Sequence, residues 1–87
     1  MALAVRKLKR ILEKRFPPPD KVSLRDEDGI IGVVTSRHFR RMGSMQRQDL
    51  IHDLLAAKLN PEERRDILLI VGVTPEEEMA NTPGEDA

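Results

Sequence analysis

Two runs of β-branched and aliphatic residues constrain the fold of this chain most: Ile30-Ile31-Gly32-Val33-Val34, and Ile67-Leu68-Leu69-Ile70-Val71-Gly72-Val73. Each has the length of a strand. Each is apolar at consecutive positions, not every second one, and so is apolar on both faces, which for the first run suits the middle of a sheet. Between them Leu50, Ile51, Leu54 and Leu55 recur at helical spacing and predict a helix over about 45–59. A strand–helix–strand passage of this kind is a crossover, expected to be right-handed and to lay the later strand parallel to the earlier one.

The remaining elements attach to that unit. Ala4, Leu8, Ile11, Leu12 and Phe16 mark a helix over 3–16, stopped by Pro17-Pro18-Pro19, because proline lacks a donor and restrains the residue before it. From Lys21 to Ser36 the chain reads as a hairpin: Val22 and Leu24 alternate with polar residues, and Asp28-Gly29 supplies a turn that tolerates positive φ. Asn60, Pro61 and Glu63 spell a cap, a first helical position and a capping box, and Thr74-Pro75-Glu76-Glu77 repeats the signal for a short helix over 75–80. The order is α-β-β-α-(turn)-β-α. It predicts an α+β domain over 1–80, with a three-stranded mixed sheet, both longer helices on one face, and a disordered acidic tail over 81–87.

Composition removes several functional classes. The 87 residues include no cysteine, so no disulfide, zinc ribbon or cysteine nucleophile is available within the chain. Phe16 and Phe39 are its only aromatic residues, too few for a base-stacking platform. The run at 67–73 is too short to span a bilayer, and Arg6, Lys7, Lys9 and Arg10 interrupt the apolar core that a secretory signal needs, so a cytoplasmic protein is expected. No Ser-His-Asp order or carboxylate pair in an apolar setting is present, and an enzyme is not expected. His38 and His52 lack the spacing of a metal pair and read as exposed.

Charge is balanced overall but separated along the chain. Residues 1–25 hold eight bases against two acids, whereas residues 67–87 hold five acids and no base. This suits an anionic partner at one end, or basic and acidic faces that pair within the molecule.

The densest functional signal lies between the central strand and the long helix, in SRHFRRMGSMQRQDLI (36–51). Arg37, Arg40, Arg41 and Arg47, with His38 among them, precede any acid, and Ser44 reads as the N-cap of the helix. Guanidinium forks and free amides at a helix start suit phosphate. Arginine is equally enriched in protein interfaces, and a solvated connector would carry the same charges. The literal G-x-x-G of Gly29-Ile30-Ile31-Gly32 sits in a hairpin strand, where Gly29 serves the turn and Gly32 is expected to allow close helix packing.

The element order, together with IIGVVTSRHF, MGSMQRQDLIHDLL and the final strand running into TPEE, resembles the BolA-like family over roughly residues 2–80. The resemblance implies a class II K-homology-like fold and a small, non-enzymatic regulator. In that family the 37–47 region forms a short helical turn and the start of the long helix. The family implies a protein partner, a monothiol glutaredoxin in some members with a shared [2Fe-2S] cluster; others are linked to nucleic acid and stress-dependent transcription. The chain departs from the pattern at the cluster ligands. Val71 stands where the last strand usually carries a His, and the loop RDEDG has neither His nor Cys. No cofactor of its own is expected.

Overall fold

The computed structural model describes residues 4–80. The order of elements is α1 (Val5–Arg15), β1 (Lys21–Asp26), β2 (Ile30–Thr35), a 3-10 turn (Arg37–Phe39), α2 (Ser44–Lys58), α3 (Pro61–Arg64), β3 (Ile67–Val73) and α4 (Pro75–Ala80). The sheet runs β1-β2-β3, with β1 antiparallel and β3 parallel to β2. The α+β architecture and the mixed sheet expected from the sequence are therefore present. The tail over 81–87 lies outside the described residues.

Hairpin geometry follows from the turn residues. Asp28 has φ +56° and Gly29 φ +132°, and the three-residue loop brings Asp26 opposite Ile30. A side chain at position 29 would be strained by that φ and would also meet Leu68 at 2.4 Å. Gly32 departs from its expected role. A Cβ there would lie 2.4 Å from the Leu24 side chain, so its smallness makes room for a cross-strand neighbour, not for a helix.

The core forms on one face of the sheet. Leu8, Leu12 and Phe16 from the α1 segment and Ile51, Leu55 and Leu59 from the α2 segment meet Ile30, Val34, Ile70 and Phe39 in a single buried cluster. Burying apolar side chains of this size contributes about 1.5–3 kcal/mol each relative to exposure. Strand alternation sends Ile31, Val33, Leu69, Val71 and Val73 to the opposite face, and none of them belongs to the core or packs on it. As expected, β2 lies in the middle of the sheet and the two longer helices pack on one face of it. β2 is central but bare on one face, and β3 is an edge strand whose Leu68 and Leu69 are 59% and 51% exposed.

Both short helices carry the caps that their sequences encode. Asn60 Oδ1 accepts from Glu63 N–H at 2.8 Å while Glu63 Oε1 accepts from Asn60 N–H at 3.1 Å. Thr74 and Glu77 repeat that exchange at 3.1 and 2.9 Å. α4 thereby closes the end of the sheet where β2 and β3 finish, and it adjoins the basic connector.

Candidate functional site: the arginine connector

The connector is built from its first residue. Ser36, fully buried and extended, donates from Oγ to Asp20 Oδ2 at 2.9 Å and accepts from His38 N–H at 3.1 Å. A hydroxyl in that position starts a turn by satisfying an otherwise open amide, and the 3-10 turn follows directly. Phe39 then plunges into the core, with its ring 5.5 Å from that of Phe16. Anchored from below by Phe39, the turn holds Arg37 and His38 outward; both are exposed, as is Arg41 just beyond it.

Ser44 does not cap α2. It is the first helical residue, and Gly43 is the N-cap, its carbonyl accepting from Arg47 N–H at 3.1 Å and its N–H donating to Gln46 Oε1 at 2.9 Å. Gln46 thus takes up the N–H of the cap residue itself. Ser44 itself is exposed.

Arg47 departs furthest from the sequence reading, which grouped it with the outward arginines. Its side chain is only 14% exposed. Nε donates to Met42 O at 2.9 Å, Nη1 to Gly72 O at 3.1 Å and Nη2 to Phe39 O at 2.9 Å. The guanidinium also forks onto Glu77, at 2.6 and 3.3 Å, and lies 5.8 Å from the centroid of the Phe39 ring. Arg47 thus joins the connector, the end of β3 and α4. It has no donor geometry left to offer a ligand.

Arg40 is intermediate. It remains exposed but makes a bidentate pair with Glu76, through Nε at 3.1 Å and a second bond from Nη2. Hydrogen bonding from Arg40 holds the Glu76 carboxyl below the usual carboxylate range, and the same pairing raises the Arg40 pKa. Glu77 is lowered chiefly by its bonds from Arg47 and then by the Thr74 N–H. Both acids were legible as helix-start residues. The expected crossover puts the turn after β3 next to residues 37–47, and the β2–α2–β3 passage brings positions 76 and 77 to positions 40 and 47.

The structure therefore sorts the six candidates. Arg37, His38, Arg41 and Ser44 form the accessible part, Arg40 is accessible but neutralised, and Arg47 is a buttress. Sequence reading missed Met45, 80% exposed in the first turn of α2 beside this group. An apolar residue on the solvent side of a helix start was the available signal.

No model of a known protein family matches the chain, and no curated protein does.

The residues present do not fit a [2Fe-2S] cluster, which takes thiolate or imidazole donors. Val71 lies on the bare sheet face opposite Val33, and the hairpin loop offers only the oxygen donors of Glu27 and Asp28. Among the described residues no three or more His, Cys, Asp or Glu side chains converge as a metal site would require. His52 stands exposed, 3.8 Å from Asp53. No helix among the described residues is long and apolar enough to cross a membrane.

Proposed function

We propose that this chain is a BolA-like adaptor that acts by docking a protein partner on the connector, with Arg37, His38, Arg41 and Met45 as the contact group. The observation that carries the reading is Met45, four-fifths exposed in the first turn of α2, where the arginine-bearing connector ends. Methionine and arginine are both enriched in protein interfaces, while a phosphate backbone has no use for a thioether. The rigid mounting supports the same reading. Ser36, Phe39 and Arg47 fix the turn from beneath, so little ordering entropy is lost on docking. The acids of α4 count against a phosphate grip, because Glu76 and Glu77 stand beside two of the four arginines and cancel their field.

The family resemblance names a monothiol glutaredoxin as the first partner to test, without a shared cluster, since the donor set does not suit one. In a titration of the labelled protein with a purified monothiol glutaredoxin, binding is expected without visible-region iron–sulfur absorbance. Reversing Arg37 and Arg41 to Glu should weaken it by at least about tenfold, a loss of about 1.4 kcal/mol, with the melting temperature unchanged. A flat titration refutes the reading. Binding to duplex DNA that falls steeply with salt, as counterion release requires, would replace it with a nucleic-acid function.

A further inference from the structure

Four cations that no ion pair matches stand around a groove between the two longer helices. Lys7, near the start of α1, meets Glu63 just past the end of α2, and Phe16 after α1 lies against Phe39 ahead of α2. α1 and α2 are therefore antiparallel, side by side on the covered face of the sheet. The groove between them has a volume of about 380 Å³. Its floor is Ile11 and Leu54, both half-buried and packed on the core. Its rim is Arg10, Lys14 and Arg15 from α1 and Lys58 from α2, all exposed.

No acid of the fold answers this charge. Among the described residues none of the four cations makes an ion pair. Helical period turns Glu13 to the far side of α1. Asp53 leans toward His52, 3.8 Å away, and Glu63 is taken by Lys7. Helix C-termini favour cations, which accounts for Lys14, Arg15 and Lys58 in the last turns but not for Arg10 in mid-helix. Arg15 also lies 5.1 Å from the centroid of the Phe16 ring, a contact that orients the guanidinium without neutralising it.

We infer that this groove docks an acidic peptide segment, which seats one apolar side chain against Ile11 and Leu54 and brings carboxylates to the four cations. Shape and charge together select that occupant. The floor is recessed below long cationic side chains, so it receives a protruding side chain and cannot wedge into a bilayer. A nucleic acid would meet the cations but leave the floor unfilled, and no ring is open to stack a base, since Phe16 and Phe39 are both buried. A fatty acid would find two aliphatic side chains in an open groove, whereas small-ligand sites enclose most of their ligand. The rim from Arg10 to Arg15 covers about 7.5 Å of helix, which matches one apolar anchor flanked by acids within a turn or two of a docked helix. The groove shares no residue with the connector, and the inference stands whether or not the connector docks a partner.

The test is fluorescence anisotropy with a labelled peptide of about 12 residues, Glu and Ala throughout with a single central Leu, chosen to be acidic and helix-forming. Titration with the full chain to about 1 mM should give a saturable rise, and the methyl resonances of Ile11 and Leu54 should shift with it. Arg10→Glu with Lys14→Glu, both at exposed positions, should weaken binding by about tenfold or more, with melting unchanged. Arg37→Glu with Arg41→Glu, the same charge reversal on the connector, should leave it within about twofold. The peptide with Ser in place of its Leu should bind about tenfold more weakly, since the floor then buries no anchor. A flat titration overturns the inference. So does equal binding of the serine peptide, which would reduce the contact to charge attraction, or an equal loss in the connector variant. Duplex DNA or phosphatidylglycerol vesicles that bind more tightly than the peptide, and lose that binding in Arg10→Glu with Lys14→Glu, would assign the surface to another class of partner and overturn it as well.

Discussion

Replacing Arg47 by methionine tests the assignment of this residue as a buttress. Methionine keeps an unbranched stem that can lie over Phe39 and removes the guanidinium alone. Three backbone carbonyls then lose a charged donor: those of Met42, Phe39 and Gly72. Hydrogen bonds to charged groups contribute about 1.5–3 kcal/mol when buried. These carbonyls can partly rehydrate, so about 1 kcal/mol each is the appropriate scale, and the sum is about 3 kcal/mol. A chain of this length has a total stability of about 4–13 kcal/mol. For a domain this small each kcal/mol moves the melting temperature by about 4–8 °C, so a drop of roughly 12–24 °C is expected. Urea titration should show a lower midpoint at constant slope. Two companions isolate the cause. Glu77→Gln leaves the three carbonyl bonds and an acceptor for the Thr74 N–H, and should lower the midpoint by less than a third as much. Arg47→Lys keeps the charge but cannot reach three carbonyls from one ammonium, and should recover less than half of the loss. The assignment is wrong if Arg47→Met melts within about 4 °C of wild type, a change of no more than about 1 kcal/mol, or if Glu77→Gln is equally damaging.

Other perturbations probe the same region. A Cβ at Gly72 would lie 2.8 Å from two atoms of the Phe39 ring. That ring is held between Phe16 and Arg47 and has little room to yield, so Gly72→Ala should destabilise by about 1–3 kcal/mol. Combined with Arg47→Met the effect should be non-additive, which a double-mutant cycle in urea would show. In acid, Glu63, Glu76 and Glu77 should act together. Bonds from Lys7, Arg40 and Arg47 respectively hold each below the ordinary glutamate value of 4.5. A depressed folded-state pKa contributes stability that is fully present above the unfolded value and is lost as pH falls through the folded one. Urea midpoints should therefore be flat from neutrality down to about pH 5 and decline below about pH 4.5. Glu76→Gln with Glu77→Gln should flatten that decline. A midpoint that rises on acidification contradicts the pairing.

What could be read from the sequence was whatever is encoded within a few residues. The Asp28-Gly29 turn, the Asn60–Glu63 and Thr74–Glu77 caps and the proline stop after Phe16 are all local, and the helices and strands fall where those signals put them. The crossover rule extended that reach to the parallel pairing of β2 and β3. Partners distant in sequence were not readable. The run at 67–73 is apolar on both faces, yet among the described residues the core cluster takes up only one of them, and the run itself does not say which. Arg47 looked like Arg37 and Arg41, since no local property tells a guanidinium aimed at carbonyls from one aimed at water. Ser44 lost the cap to Gly43, whose N–H donates to Gln46 Oε1 from one residue before the helix.

Charge is separated along the chain, and ion pairs join part of its basic side to its acidic side. Lys7 meets Glu63, Lys21 meets Glu78, Arg40 meets Glu76 and Arg47 meets Glu77. In each of these four pairs the base lies between residues 7 and 47 and the acid between residues 63 and 78. Exposed pairs of this kind contribute only about 0–1 kcal/mol each, so the pattern is a weak source of stability but a strong source of register. Three of the four tie α4 to elements that precede it, and a helix of six residues could not hold its place by apolar burial alone. The pairing also determines which cations remain for a partner. With Arg40 and Arg47 committed to α4, the proposed docking on the connector would fall to Arg37, His38 and Arg41 among its basic residues, a smaller group than the sequence displays. A change in α4 that released Glu76 and Glu77 would therefore do two things at once: loosen the connector and free the Arg40 guanidinium, while Arg47 stays on its three carbonyls. Glu76→Gln with Glu77→Gln should consequently raise non-specific affinity for duplex DNA at low salt while lowering stability, and the two effects should appear together if α4 restrains Arg40.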